Sequence, residues 1–263
     1  MVAVALLGGI TTALGLSGCV SQMIYPGAKP NALTPDSVYS ASHPEAKPYI
    51  HHLSDGTELH GWLVRAQEGA PLVVMYAGNG MSAGDFLPFA MGDPNHSYLL
   101  LNYRGYGNSK GEPSEKQLVK DACEVLMAMK WQYHPSSVTL VGFSLGTGVA
   151  VQAVARTAGR IPVQSLVLIC PFDSMENVAC DKVPLLPRLF MEDKYDSAAY
   201  APQITCPVTV FRATHDEIVS PERTQELIRS FGRPVNTVDI TASHNTILST
   251  PGFAEKLYSV LAQ

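Results

Sequence analysis

Short, continuous runs of apolar residues alternate with longer segments of helical periodicity along most of this chain. Runs of this kind, with apolar residues at most successive positions, are expected of strands that are buried on both faces of a parallel sheet. Residues 59–64 follow an Asp-Gly turn at residues 55–56 and are predicted to be the second strand of a hairpin with the segment around Ile50. The predicted strands lie at residues 59–64, 72–76, 98–101, 138–141, 166–169, 208–211 and 237–240.

Helical patterns fill the intervals between these runs. The clearest begins at Ser114, with Gln117 three residues later as a predicted capping box, and continues through Trp131. Others begin near residues 145, 221 and 252. An antiparallel start followed by repeated strand–helix units predicts an α/β fold, in which a mostly parallel central sheet is flanked by helices. Right-handed crossovers then bring the loops that follow the strands to one edge of the sheet.

The first residues are predicted to lie outside this fold. Residues 2–16 are apolar, too few for a comfortable membrane span, and run into Leu-Ser-Gly-Cys at residues 16–19. This tetrapeptide resembles the lipobox of bacterial lipoproteins, which implies a signal peptide over residues 1–18 and a lipid anchor on Cys19. An uncleaved anchor is the alternative, because no Lys or Arg precedes the run. The resemblance implies an exported, membrane-attached protein of the bacterial cell envelope, and Val20 favours the periplasmic face of the outer membrane.

Proline content divides the rest of the chain. Residues 19–48 contain five prolines and few apolar residues, a composition typical of an extended tether. Residues 49–263 are predicted to form the folded domain. Within it, residues 173–202 make only a short insertion, which we expect to form a small flap over the site.

The composition and the motifs of the chain argue against several classes of function. A formal net charge of −5, with no cluster of basic residues, argues against nucleic-acid binding. No Cys-x-x-Cys or His-Glu-x-x-His motif is present, so neither a metal nor a cofactor is predicted. Four cysteines follow Cys19, and their disulfide pairing stays open among three arrangements; they are Cys123, Cys170, Cys180 and Cys206.

The motif Gly-Phe-Ser-Leu-Gly at residues 142–146 follows a predicted strand and precedes a predicted helix. In a strand–turn–helix junction of this form, the serine lies in a tight turn with its hydroxyl exposed. The glycines lack a Cβ, so the strand and the helix can approach closely, and the helix directs its N-terminal amides toward the reacting oxygen. We therefore predict that Ser144 is a nucleophile.

A serine nucleophile requires a base, and the base requires a carboxylate that orients it. In this architecture the partners follow in the order serine, acid, histidine. Asp216 comes after the strand at 208–211, and His244 comes after the strand at 237–240. We predict that these two residues complete the triad, with the adjacent Glu217 as the alternative acid.

The negative oxygen of a tetrahedral intermediate requires two hydrogen-bond donors. The backbone N–H of Leu145, directly after the nucleophile, is one candidate. The second is the backbone N–H of Asn79, in the loop that follows the strand at 72–76, where Gly78 permits close approach to a substrate.

Taken together, six segments resemble the α/β-hydrolase superfamily, and within it the small-lidded serine hydrolases that include mammalian depalmitoylase-type members. The segments are AGNG (77–80), NYRGYG (102–107), GFSLG (142–146), DKYDS (193–197), THD (214–216) and SHN (243–245). The resemblance implies cleavage of carboxylic esters or thioesters through an acyl-enzyme. One departure is Ala77, where the family commonly has histidine.

Two alternatives share the same pattern. A serine peptidase or aminopeptidase would use the same fold and triad, since the fold alone does not determine the bond that is cleaved. A non-catalytic envelope lipoprotein would keep the fold as a scaffold. The expected partners are an ester- or acyl-containing substrate and, through Cys19, a membrane; the oligomeric state stays open.

Overall fold

The computed structural model describes residues 23–29, 32–65, 67–182 and 191–263. An eight-stranded sheet forms the centre of the molecule. Its strands are β1 (Lys47–His52), β2 (Glu58–Val64), β3 (Leu72–Tyr76), β4 (Ser97–Leu101), β5 (Val138–Phe143), β6 (Val163–Ile169), β7 (Val208–His215) and β8 (Asn236–Ser243). The helices are α1 (Asp36–Ser42), α2 (Leu87–Gly92), α3 (Glu115–Tyr133), α4 (Leu145–Thr157), α5 (Met175–Lys182), α6 (Ser197–Tyr200), α7 (Pro221–Ser230) and α8 (Phe253–Leu261).

The strands lie in the order β1-β2-β4-β3-β5-β6-β7-β8. β1 and β2 form the predicted antiparallel hairpin, β2 also runs antiparallel to β4, and the remaining pairs are parallel. Every residue of β3 and β5 is buried, as the continuous apolar runs predict. The predicted α/β fold, with a mostly parallel sheet flanked by helices, is therefore confirmed.

Helix α3 has the predicted N-cap at Ser114 but forms only half of the predicted capping box. Ser114 is the N-cap, and its hydroxyl accepts a hydrogen bond from the backbone N–H of Gln117 at 3.3 Å. In the described part of the chain the buried Oε1 of Gln117 has no hydrogen-bond partner, so the reciprocal bond of the predicted capping box is missing.

The proline-rich segment differs from the extended tether that its composition predicts. Tyr25 is only 2% exposed, and residues 36–42 form helix α1. The physical reason is the position of the prolines. Pro26 occupies the first position of a 3₁₀ turn, and Pro35 directly precedes α1, places where a fixed φ and a missing N–H cost nothing. The boundaries 1–18, 19–48 and 49–263 stay predictions.

The predicted flap is described at both of its ends, whereas residues 183–190 lie outside the described residues. Its first part is α5, which is joined to the other end by a hydrogen bond from the backbone N–H of Met175 to the carbonyl of Lys194 at 2.7 Å. Asp173, at its start, forms an ion pair with Arg223 of α7 at 2.9 Å. These bonds hold α5 close to the carboxyl ends of the strands.

The described residues contain neither a disulfide nor a helix that could span a membrane. Each of the four cysteines after Cys19 has a free thiol, so no disulfide pairing is formed among Cys123, Cys170, Cys180 and Cys206. No helix in the described ranges is long and apolar enough to cross a membrane. Cys19 and the predicted signal peptide lie outside those ranges.

Candidate active site

Ser144 lies at the sharp junction between β5 and α4, in a backbone conformation that residues with a side chain rarely adopt. Its φ is +51° and its ψ is −116°. The surrounding glycines make this junction sterically feasible: a Cβ on Gly146 would lie 2.1 Å from the carbonyl oxygen of Tyr76, and one on Gly142 would lie 2.5 Å from the carbonyl oxygen of Gly146. The strained turn therefore depends on both glycines of the motif.

His244 reaches Ser144 because β7 and β8 stay paired beyond the point where β6 ends. The two strands stay paired as far as His215 and Ser243, so the loops that follow them begin side by side. From this position the Nε2 atom of His244 lies 2.9 Å from the Oγ atom of Ser144. The imidazole is 4% exposed and packs against the ring of Phe143 at a centroid distance of 5.3 Å.

The other nitrogen of the imidazole, Nδ1, is within hydrogen-bond distance of the carboxylate of Asp216. The Nδ1 atom of His244 lies 2.8 Å and 3.0 Å from its two oxygens. Burial acts to raise the pKa of Asp216, but the hydrogen bond and charge of His244 and the N–H groups of Ile218 and Val219 outweigh it, so the pKa lies below its usual range. The group is thus held as a carboxylate that orients the imidazole.

Glu217, the alternative acid, occupies a different place. Its carboxylate accepts a hydrogen bond from the backbone N–H of His244 at 3.2 Å and has no bond to the imidazole. Geometry therefore favours Asp216 as the partner of the base, whereas Glu217 helps to hold the backbone of the histidine loop.

The two predicted oxyanion donors belong to Leu145, directly after Ser144, and to Asn79, on the wall of the same cavity. Leu145 is the first residue of α4, where a helix leaves its N–H groups without intrahelical partners. Asn79 lies in the loop after β3, and it borders the same cavity as Ser144 and His244. Among the hydrogen bonds of the described residues, neither the N–H of Leu145 nor that of Asn79 is a donor, so both remain available to a substrate oxygen.

A cavity of about 800 Å³ opens beside Ser144. Its wall is mainly apolar and comes from several parts of the chain, among them the loop after β3 with α2, the flap helix α5, and the segment after His244. Apolar side chains of the wall include Met81, Phe89, Phe172, Met175, Val178 and Leu248. No sequence pattern marks these residues individually, because their common surface is formed only by folding; the position of Met175 and Val178 in the predicted flap was the one available signal.

Cys170, directly after β6, is a neighbour of the triad. Like Ser144 it has a positive φ, +51°, and burial together with the charge of Asp216 raises the pKa of its thiol. Within the described ranges, the ligand atoms of Cys170, Asp216 and His244 lie within 4.8 Å of one another, the one such group found there. A metal bound to it would compete with the bond between Asp216 and His244.

Comparisons with known proteins agree with this architecture. The family model for the alpha/beta hydrolase fold matches residues 71–197. An uncharacterized protein of Mycobacterium tuberculosis is 31% identical over 216 residues, covering 77% of this chain and 73% of that protein. Alpha/beta hydrolase domain-containing protein 17B of Xenopus laevis is 27% identical over 236 residues, covering 87% and 80%. An esterase of Pyrococcus furiosus has a TM-score of 0.65 at 18% identity, covering 85% and 92%.

Proposed function

Because the chain belongs to the alpha/beta hydrolase superfamily, we propose that it is a serine hydrolase that cleaves carboxylic ester or thioester bonds through an acyl-enzyme. One observation carries the proposal. Ser144, His244 and Asp216 form a continuous chain of hydrogen bonds of 2.9 Å and 2.8 Å at the side of an apolar cavity. Such a chain is what a hydroxyl requires to become a nucleophile at neutral pH.

The first half-reaction transfers the acyl group to the enzyme. The Oγ atom of Ser144 attacks the carbonyl carbon while the Nε2 atom of His244 takes its proton. Negative charge develops on the carbonyl oxygen, where the N–H groups of Leu145 and Asn79 donate to it. As the tetrahedral intermediate collapses, the bond to the alcohol or thiol breaks, and the leaving group receives the proton from His244.

The second half-reaction restores the enzyme. A water molecule gives a proton to His244 and attacks the acyl-serine, and the second tetrahedral intermediate is held by the same two N–H groups. Its collapse releases the carboxylic acid and returns the proton to Ser144. Throughout the cycle Asp216 remains ionised and stabilises the imidazolium of His244, in agreement with the lowered pKa of the carboxyl group.

The cavity supports an apolar acyl group as the substrate's main recognition element. Phe89, Phe172 and Met175 offer wide hydrophobic contact in a space of about 800 Å³. Burial of each methylene group contributes about 0.8 kcal/mol, so the acyl chain gains binding energy until the cavity is filled. The similarity to an esterase of Pyrococcus furiosus is in accord with ester chemistry on this fold.

A chain-length profile tests this proposal. We expect kcat/KM of the purified protein to rise from p-nitrophenyl acetate toward medium-chain esters, with matching acyl thioesters also hydrolysed. Ser144→Ala should reduce turnover by roughly 10⁴-fold or more, because triad members act as a unit. Ser259→Ala, an exposed serine of α8, is the matched control and should have normal activity. Full activity of Ser144→Ala, or faster cleavage of aminoacyl p-nitroanilides than of any ester, would contradict the proposal.

We further propose that the enzyme is anchored to the cell envelope through a lipid on Cys19. The support is the Leu-Ser-Gly-Cys sequence at residues 16–19, together with the stable attachment that several acyl chains give. Metabolic labelling with a fatty-acid analogue should mark the protein and place it in the outer-membrane fraction. Cys19→Ser should remove the label and Cys180→Ser should keep it; a label that persists in Cys19→Ser would overturn the anchor.

A further inference from the structure

We propose that the N-terminal clasp, defined as residues 23–29 and 32–42, is a positioning element for the Asn79 amide. It holds the loop that carries this oxyanion donor in the orientation required for turnover. The inference rests on the proposed function, since it assigns a role within the same acyl transfer. Two residues position the Asn79 peptide: Gly27 of the clasp and Tyr106 of the domain. Neither touches the reacting atoms.

The peptide groups on both sides of Asn79 are held by hydrogen bonds. On one side, the backbone N–H of Met81 donates to the carbonyl oxygen of Gly78 at 3.2 Å, which fixes the peptide plane that contains the Asn79 N–H. On the other side, the carbonyl oxygen of Asn79 accepts two bonds, from the hydroxyl of Tyr106 at 2.8 Å and from the N–H of Gly27 at 3.2 Å. The orientation of the donor therefore depends on the clasp.

The contact between Gly27 and Tyr106 is too close for any side chain. A Cβ on Gly27 would lie 2.3 Å from the Tyr106 ring and 3.0 Å from the carbonyl oxygen of Asn79. Tyr106 is fully buried, so its ring has little freedom to move away. The first part of the clasp thus packs directly behind the oxyanion loop.

Tyr25 fixes the first part of the clasp to the body of the domain. Its hydroxyl donates to the carboxylate of Asp193 at 2.8 Å and lies 2.9 Å from the hydroxyl of Tyr195. The second oxygen of Asp193 accepts from the N–H of Glu115, the first residue of α3. The pKa of Tyr25 is raised by burial and by the nearby carboxylates, so the hydroxyl keeps the proton that it donates.

Helix α1, the second part of the clasp, supports the far end of the same loop. The hydroxyl of Tyr39 donates to the carboxylate of Asp85, and its ring lies against Gly84 so closely that a Cβ there would be 2.5 Å from it. The clasp therefore also contacts the end of the loop that is farther from Asn79, at Gly84 and Asp85.

A second bond from α1 reaches the loop through an intermediate residue. The buried carboxylate of Asp36 accepts from the side-chain amide of Asn102 at 3.1 Å. The amide oxygen of Asn102 in turn accepts from the N–H of Ala83 at 2.8 Å and from the hydroxyl of Ser82 at 3.2 Å. Both ends of the loop, at Asn79 and at residues 82–85, are therefore held from the clasp.

Tyr106→Phe tests the proposal with the least change of shape, because it removes the hydroxyl that donates to the Asn79 carbonyl and keeps the buried ring. Removal of an oxyanion donor costs ~10²–10³-fold in kcat, and we expect a misoriented donor to cost about 10-fold, with KM within about twofold because the donor acts mainly in the transition state. An alkyl boronic acid, which forms a tetrahedral adduct with Ser144, should lose affinity by the same factor.

Two controls separate positioning from general stability. Tyr98→Phe also removes a buried hydroxyl bond, 2.6 Å to Asp93, from a place unconnected with the oxyanion loop, so kcat should stay normal even if the melting temperature falls. Gly27→Ala should reduce kcat and boronate affinity at least as strongly as Tyr106→Phe, whereas Val38→Ala, at an exposed position of the clasp, should change neither.

Each outcome discriminates. Normal kcat and normal boronate affinity in Gly27→Ala would overturn the clasp, whatever the result for Tyr106→Phe, while leaving the hydrolase proposal intact. An equal loss of kcat in Tyr98→Phe would also overturn it, since the effect would then reflect stability alone. Failure of the proposed function has a different signature, namely a Ser144→Ala variant with wild-type turnover.

Discussion

At the scale of single residues, Ser144 combines strain with exposure to a substrate. Its φ of +51° places the backbone in a conformation that costs energy for any residue other than glycine. The hydrogen bonds from its N–H to the carbonyl of Ile169 and from the N–H of Thr147 to its own carbonyl, each 2.9 Å, keep the backbone in that conformation. We infer that the fold holds the nucleophile in place before any substrate binds.

Asp216 gives a pH-dependent prediction. Because its pKa is lowered on folding, its bonds contribute stability that is present above the pKa of an unfolded aspartate, ~3.9, and is lost as the pH falls through the lower folded value. The melting temperature of Asp216→Asn should therefore be lower than that of the wild type near pH 7, and the difference should shrink below about pH 4.

Melting temperatures measured by calorimetry between pH 3 and pH 7 check this expectation. Asp239→Asn is a suitable control, because Asp239 pairs with Arg212 at an exposed position, and pairs of that kind contribute little to stability. A wild-type advantage over Asp216→Asn that stays constant across this range would show that the carboxylate is not held in its charged form by folding.

At the scale of elements, helix α4 packs closely against both β5 and β3 because Gly142 and Gly146 leave no side chain at these contacts. Gly146→Ala would place a Cβ 2.1 Å from the carbonyl oxygen of Tyr76 in β3, and neither backbone can move without disturbing the sheet. We expect a loss of about 3 kcal/mol, the upper end of the cost of overpacking a core.

Chemical denaturation of Gly146→Ala measures this cost. Gly80→Ala is the matched control for stability, since a Cβ there would meet no atom within 4 Å. A free energy of unfolding for Gly146→Ala that equals the wild-type value would mean that the close approach of α4 and β3 is not a requirement of the fold.

Elements also explain what sequence patterns can and cannot predict here. Strands such as β3 and β5 are recognisable because burial on both faces leaves a continuous apolar run. The chain order of Ser144, Asp216 and His244 follows from the strand order, so their approach to one another could be anticipated. The clasp could not, because proline content describes a segment on average, whereas the position of each proline at a helix start decides its structure.

At the scale of the whole molecule, the cavity and the clasp are both products of long-range packing. The apolar wall draws Phe89, Phe172 and Met175 from distant parts of the chain, and no local pattern marks them as neighbours. The hydrogen bond between Gly27 and Asn79 likewise joins the start of the described chain to the loop after β3. In the sequence, three residues separate Cys19, the proposed site of lipid attachment, from the start of the clasp.

The central claim is that catalysis proceeds through an acyl group on Ser144. Rapid acid quenching of the enzyme during turnover of a medium-chain p-nitrophenyl ester, followed by mass spectrometry of its peptides, tests this most directly. If an acyl-enzyme forms, the peptide that contains Ser144 gains the mass of one acyl group, and no such gain is expected in Ser144→Ala. Hydrolysis by the wild type with no acyl adduct, or with the adduct on another residue, would contradict the central claim.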